Sequence, residues 1–334
     1  MRVTRAAIVG TGYVARVHAY ALRELGVPVV AVCGRSTKEE FALEVGGAPY
    51  DHLARLLDSE QIDVVHVCTP NAVHAEQALL ALGRGVHVVC EKPLAVSTAE
   101  AREMVAAAEG LVNATCYHTR FYPLVRRMQQ EIATIGSVTA VHGRYACDDL
   151  IVMPGGWRVD PAAAGPSYVV GDLGTHWLDA AEHVTGLRVE EVLAEFRGEP
   201  LEHTAALSLR FDNGAVGSCL LSAGAAGRKN QLLLEIEGER GGFTWDQEEP
   251  NVLLHRSAEP TRIVMKDAGV LARYPAGHAE GYGDAFRNLF AEVYRAVRGE
   301  PHDPFPTFAD GARGVALVEA AVSSARETRW VEVP

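Results

Sequence analysis

An acid and an imidazole lie four residues apart in the stretch GDLGTHWLDAAEHVTG, residues 171–186. If this stretch begins a helix, Asp172 and His176 point to one side of it, one turn apart. That arrangement suits proton transfer, because the pKa of histidine lies near working pH. A structural reading is also open, since an acid near a helix N-terminus is favoured by the helix dipole and a buried histidine can satisfy a backbone group. The remainder of the chain decides between the two readings.

A lysine followed by proline stands in CEKP, residues 90–93, directly after an apolar run, and CTPNAVH, residues 68–74, follows another. Carboxyl ends of parallel strands form the ligand-binding edge of a doubly wound sheet. Proline restricts the residue before it and permits a cis bond, so either effect could aim Lys92 rigidly. Without such a context, a loop lysine is simply solvated.

A glycine-rich turn opens the chain. It reads G-x-G-x-x-A and consists of Gly10, Thr11, Gly12, Tyr13, Val14 and Ala15. After a strand and before a helix, such glycines allow a tight turn and the close approach of a pyrophosphate to helix N–H groups. The motif therefore predicts dinucleotide binding, against the alternative of a turn that only links strand to helix.

The position that usually reads the ribose of NAD lacks an acid. About 20 residues after the glycine turn, where a carboxylate would accept the 2′-hydroxyl, the chain has Gly34, Arg35 and Ser36. Arginine can pair with a 2′-phosphate and serine can add a hydrogen bond. These residues favour NADP over NAD, although Arg35 could also be a solvated loop residue.

Strand-like and helical patterns alternate through the first third of the chain, which predicts a doubly wound parallel sheet. Later runs alternate apolar and polar residues, as in an antiparallel sheet with one covered face. We expect an α/β protein with three parts: a Rossmann domain at 1–120, a substrate and oligomerisation domain with an open, mostly antiparallel sheet at 121–307, and a closing helix and strand at 308–334. Ser97 and Glu100 predict a capping box.

Composition narrows the function. The 334 residues carry a formal charge of -12, which argues against nucleic acid or an anionic membrane as the main partner. No leader-like or membrane-spanning stretch is present, so we expect a cytoplasmic protein. The six cysteines show no metal-binding spacing; we expect reduced core thiols and no metal site.

Several motifs in this order resemble the Gfo/Idh/MocA family of oxidoreductases related to glucose-fructose oxidoreductase and inositol dehydrogenase. They are GTGYVA, CTPNAVHAEQALLALGRGVHVVCEKPLA, YHTRFYP, GWRVDPAAAGP and GDLGTHWLD. The resemblance implies a Rossmann domain, a second domain whose open sheet commonly forms dimers or tetramers, and redox chemistry with NAD(P) on sugars or cyclitols.

The same resemblance assigns roles to residues. Lys92, Asp172 and His176 match the family's catalytic lysine, acid and histidine. Positions near the nicotinamide and its ribose are matched by Thr69, Pro70, Asn71, His74 and Glu91, and the cofactor-touching pair by Trp157 and Arg158. The substrate-side candidates in YHTRFYP are His118 and Arg120. Apart from the resemblance, Tyr282 in GHAEGYGDAF is a further substrate-side candidate, with a packed aromatic as the alternative. The chain departs from the family where His118 replaces an asparagine and where Gly165, Pro166 and Ser167 replace a run of glycines.

These residues suggest a mechanism for oxidising a secondary alcohol. His176 would move the hydroxyl proton, Lys92 would hydrogen-bond the same oxygen, and Asp172 would orient the substrate or tune the histidine. Two other functions stay open. One is a glycoside-cleaving enzyme that uses NAD(P) for transient oxidation, and the other is a nucleotide-dependent sensor without turnover.

Overall fold

The computed structural model describes residues 3–266, 271–273 and 278–334. They form two compact units, the first made of Met1–His118 with Tyr282–Arg313 and the second of Thr119–Gly281 with Gly314–Pro334. The segment Tyr282–Arg313, which the sequence analysis assigned mainly to the second domain, thus belongs to the first unit. Among the described residues, no helix is long and apolar enough to cross a membrane.

The first unit is built on a six-stranded parallel sheet. Its strands are β1 (Ala6–Val9), β2 (Val29–Cys33), β3 (Ala48–Tyr50), β4 (Val64–Val67), β5 (His87–Cys90) and β6 (Asn113–Thr115). Its helices are α1 (Tyr13–Glu24), α2 (Lys38–Val45), α3 (Leu53–Ser59), α4 (His74–Leu82), α5 (Thr98–Ala107) and, from late in the chain, α10 (Tyr282–Val297). The strand order β3-β2-β1-β4-β5-β6 and the parallel pairing confirm the predicted Rossmann topology.

The inner strands of this sheet are buried throughout, because helices cover both faces. All four residues of β1 and of β4 are buried, which explains their continuous apolar runs. The predicted cap of α5 is present, since the Ser97 hydroxyl accepts the Glu100 N–H at 3.2 Å. All six cysteines are buried free thiols, as expected.

The second unit carries a nine-stranded sheet. Its strands are β7 (Val138–Ala146), β8 (Val189–Arg197), β9 (Thr204–Phe211), β10 (Val216–Ser222), β11 (Gln231–Gly238), β12 (Gly241–Asp246), β13 (Val252–Ser257), β14 (Arg262–Met265) and β15 (Val331–Glu332). Their order is β14-β13-β12-β11-β7-β10-β9-β8-β15, and every pair is antiparallel except β7 with β10. The prediction of a mostly antiparallel sheet is confirmed.

Helices cover one face of this sheet. They are α6 (Pro123–Glu131), which contacts β12, and α9 (Thr175–Thr185), which contacts β7 and β11. The remaining helices are α7 (Asp149–Val152), α8 (Pro161–Ala164) and α11 (Phe308–Glu327). The Trp177 indole of α9 donates to the Leu233 carbonyl of β11 at 2.9 Å. This approach requires Gly143 in β7, because a Cβ there would lie 2.0 Å from that same carbonyl oxygen. The helix that carries His176 is therefore fixed directly against the sheet.

Candidate active site

The two glycines of the N-terminal turn have different physical tasks. Gly10 has φ +106°, and a Cβ there would lie 2.3 Å from the Cys68 carbonyl oxygen at the end of β4. Gly12 precedes α1 with ordinary backbone angles, and no atom lies within 4 Å of where its Cβ would be. The space before the free N–H groups of α1 is thus open, which fits a pyrophosphate. Tyr13 and Val14 begin the helix, and Tyr13 is mostly exposed.

The loop after β2 is linked to this turn, because the Thr37 hydroxyl donates to the Thr11 hydroxyl at 2.8 Å. Arg35 and Ser36 are exposed beside it. Lys38, a second cation of the loop, has its ammonium 2.9 Å from Glu39 and 3.0 Å from Asp51. Lys38 is therefore already paired with carboxylates within the protein.

Lys92 is bracketed by two buried side chains, and its bond to Pro93 is cis. On one side, the Glu91 carboxylate accepts the Lys92 N–H at 3.2 Å. On the other side, the two ring nitrogens of His74 lie 2.9 Å from the Pro93 carbonyl and 2.8 Å from the Thr69 carbonyl. Both Glu91 and His74 are buried, and one Glu91 oxygen and both ring nitrogens of His74 lie against the loop backbone.

The electrostatics of this loop favour a buried anion at Glu91. Burial opposes its ionisation, yet the hydrogen bond from His18 and the charge of Lys92 leave the pKa of Glu91 below its ordinary value. Burial also lowers the pKa of His74, against the two carbonyl groups that favour its charged form. Pro70 and Asn71 continue the same loop after Thr69, and Asn71 is buried.

His118 lies in an aromatic cluster of the first unit. Its ring stacks on Phe286 with centroids 4.4 Å apart and meets the edge of Tyr282 at 4.9 Å. Burial lowers the pKa of His118 to about 4, although the Glu91 carboxylate opposes this shift. His118 is therefore neutral at neutral pH. Its predicted contact with substrate stays a prediction.

In the second unit, Asp172 and His176 do not share one regular α-helix. Asp172 lies in the π-helical turn Val170–Gly174, and His176 is the second residue of α9. A π-turn bonds residue i to i+5, so the turn that carries Asp172 is wider than the α-helical turn that the sequence analysis assumed. His176 is buried, with its ring centroid 6.2 Å from that of Tyr145 on β7.

Asp172 is paired with an arginine that the sequence analysis assigned to the cofactor. The Arg158 guanidinium donates to the Asp172 carboxylate at 3.0 Å, and it also lies over the Trp157 ring at 4.7 Å. The Asp172 charge raises the pKa of Arg158. Burial, and then Asp172, raise the pKa of Asp149, a second carboxyl of this region. The acid of the predicted site thus belongs to a local group of one cation and two carboxyls.

A buried glutamate holds the turn that carries Asp172. The Glu202 carboxylate accepts the N–H groups of Tyr168 and Val170, each at 3.2 Å, and the Ser167 hydroxyl. The same hydroxyl accepts the Gly171 N–H at 3.2 Å. The Ser167 hydroxyl and the N–H groups of Tyr168, Val170 and Gly171, which precede Asp172 in the chain, therefore all have an acceptor. Ser167 is one of the residues that replace a run of glycines in the family that the sequence resembles. Its hydrogen bonds with Glu202 and Gly171, called here the Glu202 clamp, give this replacement a structural role.

We expect Glu202→Ala to lower the free energy of unfolding by about 2 to 4 kcal/mol, because three buried donors lose their acceptor. Chemical denaturation measures this effect. The exposed neighbour Glu199 provides the control, and Glu199→Ala should change stability by less than about 0.5 kcal/mol. Equal stability of the two variants contradicts the clamp.

The Glu202 carboxyl also gives stability a defined pH dependence. Burial raises its pKa above the usual 4.5 despite the three donors, so the folded chain holds this proton more tightly than the unfolded chain. Its contribution is therefore full below the unfolded pKa and is lost as pH rises through the folded pKa. We expect the stability advantage of the parent over Glu202→Gln, which cannot titrate, to shrink with rising pH. An advantage that grows with pH contradicts this direction.

Arg120 is held by an acid of α9. Two nitrogens of its guanidinium donate hydrogen bonds to the Asp179 carboxylate, one of them at 2.8 Å, and both side chains are largely buried. Such a bidentate pair fixes the segment before α6 onto α9. The proposed substrate role of Arg120 is left without structural support from this contact.

Sequence reasoning missed the residues that support the site. They are His18, His66, Tyr145, Asp149, Asp179, Glu202 and Tyr294. Asp179 ends the stretch GDLGTHWLD, and Asp149 lies close in sequence to Arg158. The other five lie outside the quoted motifs, because their partners are distant along the chain; Glu202 follows Ser167 by 35 positions. Only the isolated acid or histidine in an apolar run could have drawn attention to them.

Comparison with known proteins places both units in sequence families. Residues 4–117 match the oxidoreductase family with an NAD-binding Rossmann fold, GFO_IDH_MocA, and residues 125–244 match the GFO/IDH/MocA C-terminal domain. The oxidoreductase YfiI of Bacillus subtilis is 32% identical over 305 residues, which cover 81% of this chain and 78% of that protein.

Two further relatives have names that state a chemistry. Levoglucosan dehydrogenase of Pseudarthrobacter phenanthrenivorans is 29% identical, covering 84% of this chain and 82% of that protein. The crystal structure of an inositol dehydrogenase homologue from Azotobacter vinelandii, complexed with NAD+, superposes with a TM-score of 0.90 at 28% identity. The match covers 98% of this chain and 97% of that one.

Proposed function

The chain belongs to the Gfo/Idh/MocA oxidoreductase family, and we propose that it transfers hydride between NAD(P) and a secondary alcohol or ketone of a sugar, sugar derivative or cyclitol. Its relatives are named dehydrogenases and oxidoreductases, and the chain is accordingly an NAD(P)-dependent oxidoreductase. The observation that carries the proposal is the open space at Gly12 before α1, which fits a dinucleotide pyrophosphate.

The family resemblance and the chemistry of each side chain suggest the following roles. The bound nicotinamide would supply the hydride acceptor or donor. His176 moves the proton of the substrate hydroxyl, and Lys92 stabilises negative charge developing on that oxygen. Asp172, held by Arg158, orients the substrate or tunes the histidine. Thr69, Pro70 and Asn71 would line the nicotinamide end of the cofactor.

A spectrophotometric assay tests the proposal. Purified protein is mixed with NADP+ and then NAD+ across aldoses, glycosides and cyclitols, and reduced nicotinamide is followed by near-UV absorbance. Accumulation with one substrate class supports the proposal. The product masses are measured in parallel, because a cleaved glycoside without accumulated reduced cofactor indicates the transient-oxidation enzyme instead. Tight cofactor binding with no turnover on any member of the panel favours the sensor.

We expect this enzyme to prefer NADP, because exposed Arg35 and Ser36 replace the carboxylate that would read the ribose of NAD. Lys38 contributes less, since Glu39 and Asp51 already hold its charge. Arg35→Ala should lower kcat/KM about tenfold with NADP and less than about twofold with NAD, as expected for one lost ion pair to a phosphate. Steady-state kinetics with both cofactors measure this; equal losses contradict the NADP preference.

The open sheet face supports self-association as a homodimer or homotetramer. On β10, Val216 and Leu220 are more than half exposed and lie on one face, and on β14 Ile263 and Met265 are exposed as well. Exposed apolar side chains on a sheet face are typical of protein interfaces. A cytoplasmic location stays a prediction of the sequence.

A further inference from the structure

A chain of buried polar side chains runs through the first unit to Glu91. The Tyr294 hydroxyl lies 2.9 Å from His66 Nε2, and His66 Nδ1 lies 3.0 Å from His18 Nδ1. His18 Nε2 then lies 3.0 Å from Glu91 Oε1. Tyr294, His66 and His18 are at most 1% exposed. They come from α10, β4 and α1, so the tertiary fold alone assembles them.

Assigning the ring protons gives the hydrogen bonds between these side chains a single direction. A glutamate anion can only accept, so His18 must donate from Nε2, and we assign the His18 ring this single proton, so that it accepts at Nδ1. His66 must therefore donate from Nδ1 and accept the Tyr294 hydroxyl proton at Nε2. Burial lowers the pKa of His66 well below its ordinary value, which agrees with a neutral ring. The two histidines are consequently opposite tautomers.

The neighbouring Cys116 thiol supports this arrangement. Cys116 Sγ, His18 Nε2 and Glu91 Oε1 lie within 4.8 Å of one another, a spacing that could hold a metal ion. Burial raises the pKa of Cys116 well above its ordinary value, however, and the nearby Glu91 charge raises it further. A metal ligand would have to be the thiolate. The protonated thiol instead serves as another donor toward the Glu91 carboxylate.

The Glu91 end of this series of hydrogen bonds reaches the proposed catalytic residue Lys92. Glu91 Oε1 accepts from His18, while Oε2 accepts the backbone N–H of Lys92 at 3.2 Å. The carboxylate is thus a bridge between the protein interior and the Lys92–Pro93 turn. The family resemblance places Glu91 near the cofactor, but both of its oxygens have partners within the protein.

We propose that Tyr294, His66, His18 and Glu91 form a one-directional hydrogen-bonded chain that positions Lys92. These are positioning residues, since they act through the Lys92 backbone rather than on the substrate. The inference rests on the proposed function only in taking Lys92 as catalytic. The existence and direction of the chain can be tested without any substrate.

The first test is the tautomeric state of the two imidazoles, measured by long-range ¹H–¹⁵N correlation NMR on the whole protein. Signals are assigned through their loss in His18→Gln and His66→Gln. We expect His18 protonated at Nε2 only and His66 protonated at Nδ1 only at neutral pH. Identical tautomers, a charged His18, or stoichiometric zinc in the purified protein overturns the chain.

The second test separates positioning from simple packing. His18→Leu removes the donor to Glu91 and should lower kcat about tenfold or more, because small displacements of a reacting group are costly. His18→Gln, whose amide can reach Glu91, should recover most of that loss. Tyr294→Phe removes only the hydroxyl that bonds His66, at the end of the series farthest from Lys92, and should lower kcat about threefold. The Kd for cofactor should stay within about twofold of the parent in all three variants.

Phe290→Leu is the matched control. Its ring packs against His18 at 4.7 Å and His66 at 4.9 Å but makes no hydrogen bond in the chain. If Phe290→Leu lowers kcat as much as His18→Leu at equal stability, or if His18→Gln recovers nothing, the positioning role is wrong. If the parent enzyme oxidises no sugar or cyclitol, the proposed function fails, while the tautomers still decide whether the chain exists.

Discussion

Lys92→Ala and His176→Ala should each lower kcat at least about a hundredfold, the usual size of an acid-base contribution. Lys92 supplies a charge that stabilises the substrate oxygen, and His176 supplies the proton acceptor. Neither substitution touches the Gly12 opening before α1. Cofactor affinity should therefore remain within about threefold of the parent, because the loss is confined to the transition state.

Steady-state kinetics measure this loss, and quenching of protein fluorescence by bound cofactor measures the affinity. Lys229→Ala and His142→Ala are matched controls for the removed side chains. Lys229 pairs with Asp148 in the second unit, and His142 lies beside Glu235 and Glu237 on the sheet. Both controls should keep kcat within about twofold. Near-normal turnover by Lys92→Ala and His176→Ala together would end the assignment.

Alanine at Gly10 and alanine at Gly12 should fail in different ways. Gly10→Ala puts a Cβ 2.3 Å from the Cys68 carbonyl oxygen at a positive φ, so the end of β1 must shift. We expect it to lower the free energy of unfolding by about 3 kcal/mol or more, since backbone strain and overpacking combine. Gly12→Ala meets no atom within 4 Å and needs no unusual backbone angle.

Gly12→Ala should therefore keep the parent stability within about 0.5 kcal/mol, as surface substitutions usually do. The new methyl group nevertheless fills the space that a pyrophosphate needs, and cofactor affinity should fall at least about thirtyfold, the equivalent of about 2 kcal/mol. Thermal unfolding and cofactor titration of the same two samples separate stability from affinity. Undiminished affinity in Gly12→Ala would show that the cofactor does not approach this turn.

The sequence was sufficient for the fold because local signals agreed with it. The glycine turn, the buried apolar strands and the alternating later runs each predicted the element that formed. The helix cap at Ser97 was also predictable from the sequence, since both of its partners lie within four residues. Patterns of this kind need only short-range information.

The contacts that support the site could not be predicted from such local patterns, because they join residues far apart in the sequence. Tyr294 lies 228 positions after its partner His66, and no periodicity connects them. The π-turn at Asp172 was not predicted either, and Glu202, which accepts N–H groups of this segment, lies more than 30 positions further along the chain. The α-helical spacing assumed for Asp172 and His176 was therefore reasonable but did not describe the backbone that formed.

The discontinuity of the first unit affects the order in which it can be completed during synthesis. All six strands of its sheet leave the ribosome before α10, whose Phe286, Phe290 and Tyr294 cover His18 and His66. Until then these two histidines lack their aromatic cover and the Tyr294 hydrogen bond. A nascent Rossmann sheet must therefore wait until eight of the nine strands of the second sheet, β7 to β14, have been translated. A transplanted nucleotide-binding module would have to include both segments of the chain.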